Sequence, residues 1–179
     1  MKLIIQIPCF NEARTLSETL AALPRELPGF SSVEWLVVDD GSSDGTAALA
    51  RQLGVDHVVS HPANLGLARA FMSGLEAGIE KGADVIINTD ADNQYSAEDL
   101  PSLLEPILNH KADLVIGHRP VNEIESFSPL KKLLQKLGSQ VVRTISGTSV
   151  KDAPSGFRAL SRAAAIQLNV FSDYTYTLE

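Results

Sequence analysis

Val33-Glu34-Trp35-Leu36-Val37-Val38-Asp39-Asp40-Gly41-Ser42-Ser43-Asp44-Gly45-Thr46 decides the fold class. Val33 to Asp39 is a short apolar run rich in β-branched side chains, and it reads as a buried strand. A polar turn follows between Gly41 and Gly45. Thr46 to Leu53 then reads as a helix, closed by Gly54. A strand feeding a helix through such a turn is part of a βαβ unit, the building block of a parallel sheet.

The same order repeats outward in both directions. Lys2 to Pro8 reads as a strand, and Ala13 to Leu23 carries Leu16, Leu20 and Leu23 at helical spacing before Pro24 stops it. Asp56 to Ser60 is a third strand, Gly66 to Gly82 a helix and Asp84 to Asp90 a fourth strand. Ser96 followed by Asp99 resembles a capping box opening a helix that runs through Leu108, and Asp113 to Gly117 is a fifth strand. This alternation predicts an α/β fold with a mostly parallel sheet and helices on both faces. After His118 the rhythm breaks. Arg119 to Ser128 reads as a loop, expected to be the most mobile internal segment. Pro129 to Ile145 reads as an amphipathic helix carrying Lys131, Lys132, Lys136 and Arg143, and Asp152 to Ser161 as irregular chain turning strand-like.

Bulk properties narrow the function classes. A length of 179 residues fits one domain, and 44% hydrophobic with 21% charged residues excludes general disorder. The single cysteine, Cys9, excludes an intrachain disulfide and a cysteine-built metal centre. A net charge of -7 excludes the strongly basic footprint of a nucleic-acid binder. Met1 to Pro8 lacks the length and cleavage site of a signal peptide, and no run approaches ~20 apolar residues. The expectation is a soluble, cytoplasmic chain. Phe171 to Glu179 stops in apolar, β-prone sequence with no polar tail, which reads as a chain cut short.

The chemistry clusters where strands end, the place where open α/β sheets bind ligands. Strand 1 runs into Pro8-Cys9-Phe10-Asn11-Glu12, strand 2 into Asp39-Asp40-Gly41-Ser42-Ser43-Asp44, and strand 4 into Asp90-Ala91-Asp92-Asn93-Gln94. So many carboxylates at one crevice repel one another, and a bound cation relieves the repulsion. Asp90 and Asp92 lie two residues apart and face one side if the chain there is extended. They can share Mg²⁺ or Mn²⁺, with Gln94 adding a carbonyl oxygen. The plainer alternative is a turn or capping pair. Asp40 to Gly45 resembles the start of a calcium loop, but its twelfth position is Arg51 instead of the bidentate Glu, so Asp44 or Ser43 is read as a helix cap. Neither a P-loop nor a G-x-G-x-x-G fingerprint is present. The four histidines lack metal-ligand spacing and are read as surface or packing residues; Cys9 and Trp35 are read as core.

Taken in order, Pro8 to Glu12, Val37 to Thr46, Asn64-Leu65-Gly66, Asp90 to Gln94, Gly117-His118-Arg119 and Asp152 to Arg158 resemble the family 2 glycosyltransferases of GT-A fold. The likeness is strongest to the polyprenyl- and dolichyl-phosphate sugar synthases. It spans nearly the whole chain, with 1–118 as the nucleotide-sugar half and 119–179 as an incomplete acceptor half. The resemblance implies a metal-dependent, inverting transfer from a UDP- or GDP-sugar to a polyprenyl phosphate. It implies that Pro8, Phe10 and Glu12 frame base and ribose, and that Asp39 with the Val37 backbone hydrogen-bonds the base. Asp90, Ala91 and Asp92 would meet ribose and metal, Gln94 would complete the metal shell and Arg119 would meet the diphosphate. Asp92 and Arg119 are thus the catalytic candidates and Arg158 lies on the acceptor side. The basic stretch 129–145 can rest on anionic headgroups at the cytoplasmic face of a membrane.

Three rivals make different demands. Transfer to a carbohydrate hydroxyl needs a general base. A phosphatase of Asp-x-Asp type carries its motif after the first strand, with Thr or Val where Gln94 stands. A non-enzymatic receiver domain needs an aspartate after strand 3 and a lysine after strand 5, where Ser60-His61-Pro62 and Gly117-His118-Arg119 stand instead.

Overall fold

The computed structural model describes residues 1–92, 95–117 and 155–168. Strand β1 (Lys2–Cys9) is buried from Leu3 onward, because it has neighbours on both edges and helices over both faces. Parallel to it on one side runs β2 (Ser32–Asp39), followed outward by β3 (His57–Ser60); β4 (Val85–Asn88) runs parallel on the other side. Helices α1 (Leu16–Ala22), α2 (Thr46–Gln52) and α3 (Leu67–Glu80) make the crossovers. Beyond β4 lie α4 (Leu100–Leu108), β5 (Leu114–Ile116), β6 (Arg158–Ser161) and α5 (Arg162–Gln167).

The sheet order is β3-β2-β1-β4-β6-β5. The strand-like end of Asp152 to Ser161 is therefore β6, and it is antiparallel to both its neighbours, β4 and β5. It separates β5 from the parallel strands with which the sequence groups it. The sheet remains mostly parallel, as expected.

Alternation along the strands divides the core in two. Leu3, Ile5 and Ile7 pack on one face with Leu16 and Leu20 of α1 and Leu103 of α4. Ile4, Leu36 and Ile86 pack on the other with Phe71 and Leu75 of α3 and Ala165 of α5. Burying a side chain such as Phe71, which is fully covered, contributes roughly 1.5–3 kcal/mol. Trp35 is core as expected; its Nε1 donates to the Pro24 carbonyl at 3.2 Å and the Arg25 guanidinium lies 3.4 Å from its ring centre.

One polar cluster interrupts the second face. Gln6 Nε2 donates to Asn88 Oδ1 at 2.8 Å, and Asn88 Nδ2 donates to the Gly156 carbonyl at 2.7 Å. A Cβ at position 74 would lie 2.6 Å from Gln6 Oε1, so α3 needs glycine there to reach the sheet.

The capping box is partly realised. Ser96 Oγ accepts from the Glu98 N–H at 3.2 Å, but Ala97–Asp99 is a 3₁₀ turn and α4 begins only at Leu100. Pro101, which donates no hydrogen bond, fits that first turn. Among the described residues no helix is long and apolar enough to cross a membrane. The loop expected at 119–128, the helix expected at 129–145, Gln94, Arg119 and Asp152 to Pro154 lie outside the described residues.

Candidate active site

Hydrogen bonds carry the β-ladder past the strand ends and align the site loops. The Asp40 N–H donates to the Cys9 carbonyl at 2.8 Å, His61 N–H to the Asp39 carbonyl at 2.9 Å and Thr89 N–H to the Gln6 carbonyl at 3.1 Å. The segments after β1, β2, β3 and β4 therefore emerge side by side. Between β1 and β4 the winding of the sheet reverses direction. Such a switch point leaves a crevice beyond the carboxyl ends of the strands.

A cavity of about 360 Å³ occupies it. Pro8, Cys9, Phe10 and Glu12 line one side and Asp90, Ala91 and Asp92 another. Asp40 and the Asn64, Gly66, Leu67 and Ala70 segment complete the wall. Phe10 is 46% exposed, a large apolar ring left half open to solvent at the mouth. Four acidic residues, Glu12, Asp40, Asp90 and Asp92, line this one space.

Six of the expected site residues are thus brought together: Pro8, Phe10, Glu12, Asp90, Ala91 and Asp92. Val37 is not; it is fully buried inside the sheet, in register with Ile7 and Val58. Asp39 is buried and does not line the cavity, and its carboxylate accepts the Ser42 N–H at 3.3 Å. Arg158 is fully buried in β6, where Nε and Nη2 donate to the Ser155 carbonyl at 3.0 and 2.5 Å. An arginine covered on all sides by its own fold faces the polar Asn88 across the ladder instead of solvent.

The reason for Asp90 and Asp92 sharing one space differs from the expected one. The chain is not extended there; β4 ends at Asn88 and residues 91–92 form a turn. The turn is held from behind by α1. Buried Thr19 donates from Oγ1 to the Ala91 carbonyl at 2.7 Å, while the Ala91 methyl packs into the core. Thr19 carries no signal in the sequence, since a threonine on a helix face is ordinary.

The loops after β1 and β2 are stitched together. Asn11, in the left-handed region at φ 57°, donates from N–H to Ser42 Oγ at 2.9 Å and accepts the Ser43 N–H on Oδ1 at 2.9 Å. Glu12 N–H donates to Thr46 Oγ1 and Ala13 N–H to Asp44 Oδ2, each at 3.0 Å. Asp44 also accepts the Thr46 N–H, the first of α2, from one residue before the cap position, which Gly45 holds without a side-chain bond. A methyl at Gly41 would sit 2.3 Å from the Ala63 carbonyl carbon, so glycine is required where this loop meets the one after β3.

Electrostatics follow from this crowding. Burial pushes the Cys9 thiol far above its ordinary range, and the charges of Glu12, Asp39 and Asp44 push it further, so the thiol is inert. Among the described residues no three His, Cys, Asp or Glu side chains converge on a metal position. Two carboxylates on one turn beside open space still suit a hard divalent ion that keeps sites for water and phosphate oxygens.

The chain is similar to known sugar transferases. It is 34% identical over 165 residues to the undecaprenyl-phosphate mannosyltransferase of Micrococcus luteus, covering 89% of this chain and 66% of that protein. It is 32% identical to the polyprenol monophosphomannose synthase of Mycolicibacterium smegmatis, covering 89% of this chain and 61% of that one. The chain thus spans less than two thirds of the length of either relative. Among solved structures, glucosyl-3-phosphoglycerate synthase from Mycobacterium tuberculosis, in complex with Mn²⁺, UDP-glucose and phosphoglyceric acid, superposes with a TM-score of 0.69. That match has 22% identity over 90% of this chain and 57% of that one, and the GT-A sheet expected from the sequence is the fold observed. Residues 4–168 match the family described as Glycosyl transferase family 2, and the chain belongs to that family.

Proposed function

We propose that this chain carries the donor site of an enzyme that transfers a sugar from a nucleoside-diphosphate sugar to a polyprenyl phosphate, with inversion at the sugar carbon. One observation carries the reading: the cavity at the β1/β4 switch point joins an open aromatic ring to the Asp90-Ala91-Asp92 turn. The named relatives support the choice of acceptor, since both act with polyprenyl phosphates by description.

The residues divide the work by chemistry. The half-exposed Phe10 ring offers a stacking face to the base. Glu12, whose Oε2 accepts the Thr15 hydroxyl at 2.7 Å, has acceptor capacity left for ribose hydroxyls. Asp90 and Asp92 would hold the divalent ion, with Gln94 and Arg119 reaching the metal and diphosphate. When bound, Mg²⁺ or Mn²⁺ neutralises charge developing on the departing diphosphate. The four carboxylates repel a diphosphate in the absence of a cation, so donor binding depends on metal. A phosphate acceptor is already an anion at neutral pH and needs no general base; it needs positive charge nearby, for which Lys131, Lys132, Lys136 and Arg143 are candidates.

Calorimetry with UDP and GDP, with and without Mn²⁺, tests the site. The expected result is binding of one nucleotide that requires metal and is lost in Asp92→Ala with the melting temperature preserved. Metal-dependent binding of unchanged strength in Asp92→Ala removes the turn from the site. Transfer to a free sugar, with none to undecaprenyl phosphate, overturns the acceptor.

A further inference from the structure

The sequence gives His61 no role beyond packing. In the fold its ring lies between two partners, 9% exposed. Nδ1 is 2.6 Å from Asp40 Oδ1 and Nε2 is 3.0 Å from Ser73 Oγ on α3. A carboxylate oxygen accepts, so the Nδ1–H of the ring donates to Asp40, and Nε2 pairs with the Ser73 hydroxyl.

Aspartate, histidine and serine in that order also build the hydrolase triad. That reading fails here. Neither His61 nor Ser73 lines the cavity, and Ser73 sits in the second turn of α3 instead of at a strained elbow. The Asp40 carboxylate is also committed elsewhere. Its Oδ1 accepts the Leu65 N–H and its Oδ2 the Gly66 N–H, each at 2.9 Å. Those two amides belong to the segment that walls the cavity through Asn64, Gly66 and Leu67.

We infer that His61 is a positioning residue: bound to Asp40 on one side and Ser73 on the other, it fixes the carboxylate that holds the Asn64–Leu67 wall of the donor cavity. The geometry explains why one buried carboxylate gathers three donors. Two come from the wall and the third ties the carboxylate to α3, so wall and helix cannot shift independently. Without the ring, Asp40 is free to rotate about its side-chain bonds, and both amide contacts loosen together. The link to nucleotide rests on the proposed function; the link to the wall does not.

The test therefore reads both. His61→Leu keeps bulk and removes both polar contacts. His61→Asn restores a donor toward Asp40 but cannot reach Ser73. Amide hydrogen exchange, measured without nucleotide, should speed up in His61→Leu by about tenfold at Leu65 and by less at Gly66, whose N–H also reaches Asn64 Oδ1 at 3.1 Å, with β4 amides unchanged. Affinity for the nucleoside diphosphate with Mn²⁺ should fall by about the same factor, and His61→Asn should recover most of both losses. Leu65 and Gly66 amides as slow in His61→Leu as in the native chain overturn the inference, as does an asparagine variant no better than leucine. If His61→Leu does not fold, Ser73→Ala carries the test, with an intermediate rise in exchange expected at the same two amides and no rise overturning it. If the native chain binds no nucleotide, the donor-site reading falls while the exchange result still decides the role of His61.

Discussion

A single hydroxyl supports the acidic turn. Thr19 Oγ1 reaches the Ala91 carbonyl from a helix distant in sequence, in a place closed to water. Thr19→Val keeps the shape and strands that carbonyl without a donor, at a cost of ~1–3 kcal/mol. Thermal melting should show the loss, and Thr19→Ser should recover most of it. Because the bond anchors the Asp90 to Asp92 turn, metal-dependent nucleotide affinity should fall in the valine variant as well. A valine variant as stable as the native chain would mean that the bond adds nothing. Neither Thr19 nor His61 could be singled out from sequence. Their roles come from partners that the α1 crossover and the β2–β3 register deliver. Asp90 and Asp92 could be, as acids two residues apart beyond a strand end with other acidic clusters at neighbouring strand ends, and Phe10 and Glu12 through the resemblance to the family 2 glycosyltransferases.

At the level of elements, the junction between the loops after β1 and β2 responds to acid. The Asp44 carboxyl is held below its ordinary value of 3.8, first by the Thr46 hydroxyl and then by the Ala13 N–H. The fold therefore favours the carboxylate. Its contribution is complete above the ordinary value and is lost as pH falls through the lower, folded one. As pH falls below 3.8 the Ala13 amide should lose exchange protection before the β1 amides do. An Ala13 amide that stays protected until β1 itself opens would contradict this. Strands β1 to β5 were legible because Ile and Val runs bounded by Gly, Pro and Asp have few alternatives. The place of β6 was not, since Arg158 to Ser161 is four residues whose partners are set by long-range pairing and not by local pattern. The turn at 91–92 was hidden for a related reason. An Asp-x-Asp spacing fits extended chain and turn equally well, and it is the Thr19 anchor that favours the turn.

For the molecule as a whole, the antiparallel insertion makes β6 the bond between two parts of the sheet. It pairs Ile86 with Leu160 on one edge and Leu114 with Leu160 on the other. A chain ended at Gly117 leaves the β4 edge open and β5 without its partner, the condition in which exposed strands associate with other chains. Such a chain should show dye-binding apolar surface and a less cooperative melt than the 179-residue chain, and an equally sharp transition at the same temperature would show β6 to be dispensable. The insertion also has a consequence for biosynthesis. A ribosome releases β5 well before Arg158 to Ser161 leave the exit tunnel, a delay of a few seconds at about 5–20 residues per second. During that interval the nascent β4 edge is a ready target for chaperones or for neighbouring chains on the same message. Translation speed between codons 117 and 158 therefore sets the wait for β6, so synonymous changes there should alter the yield of folded product without altering one residue of it.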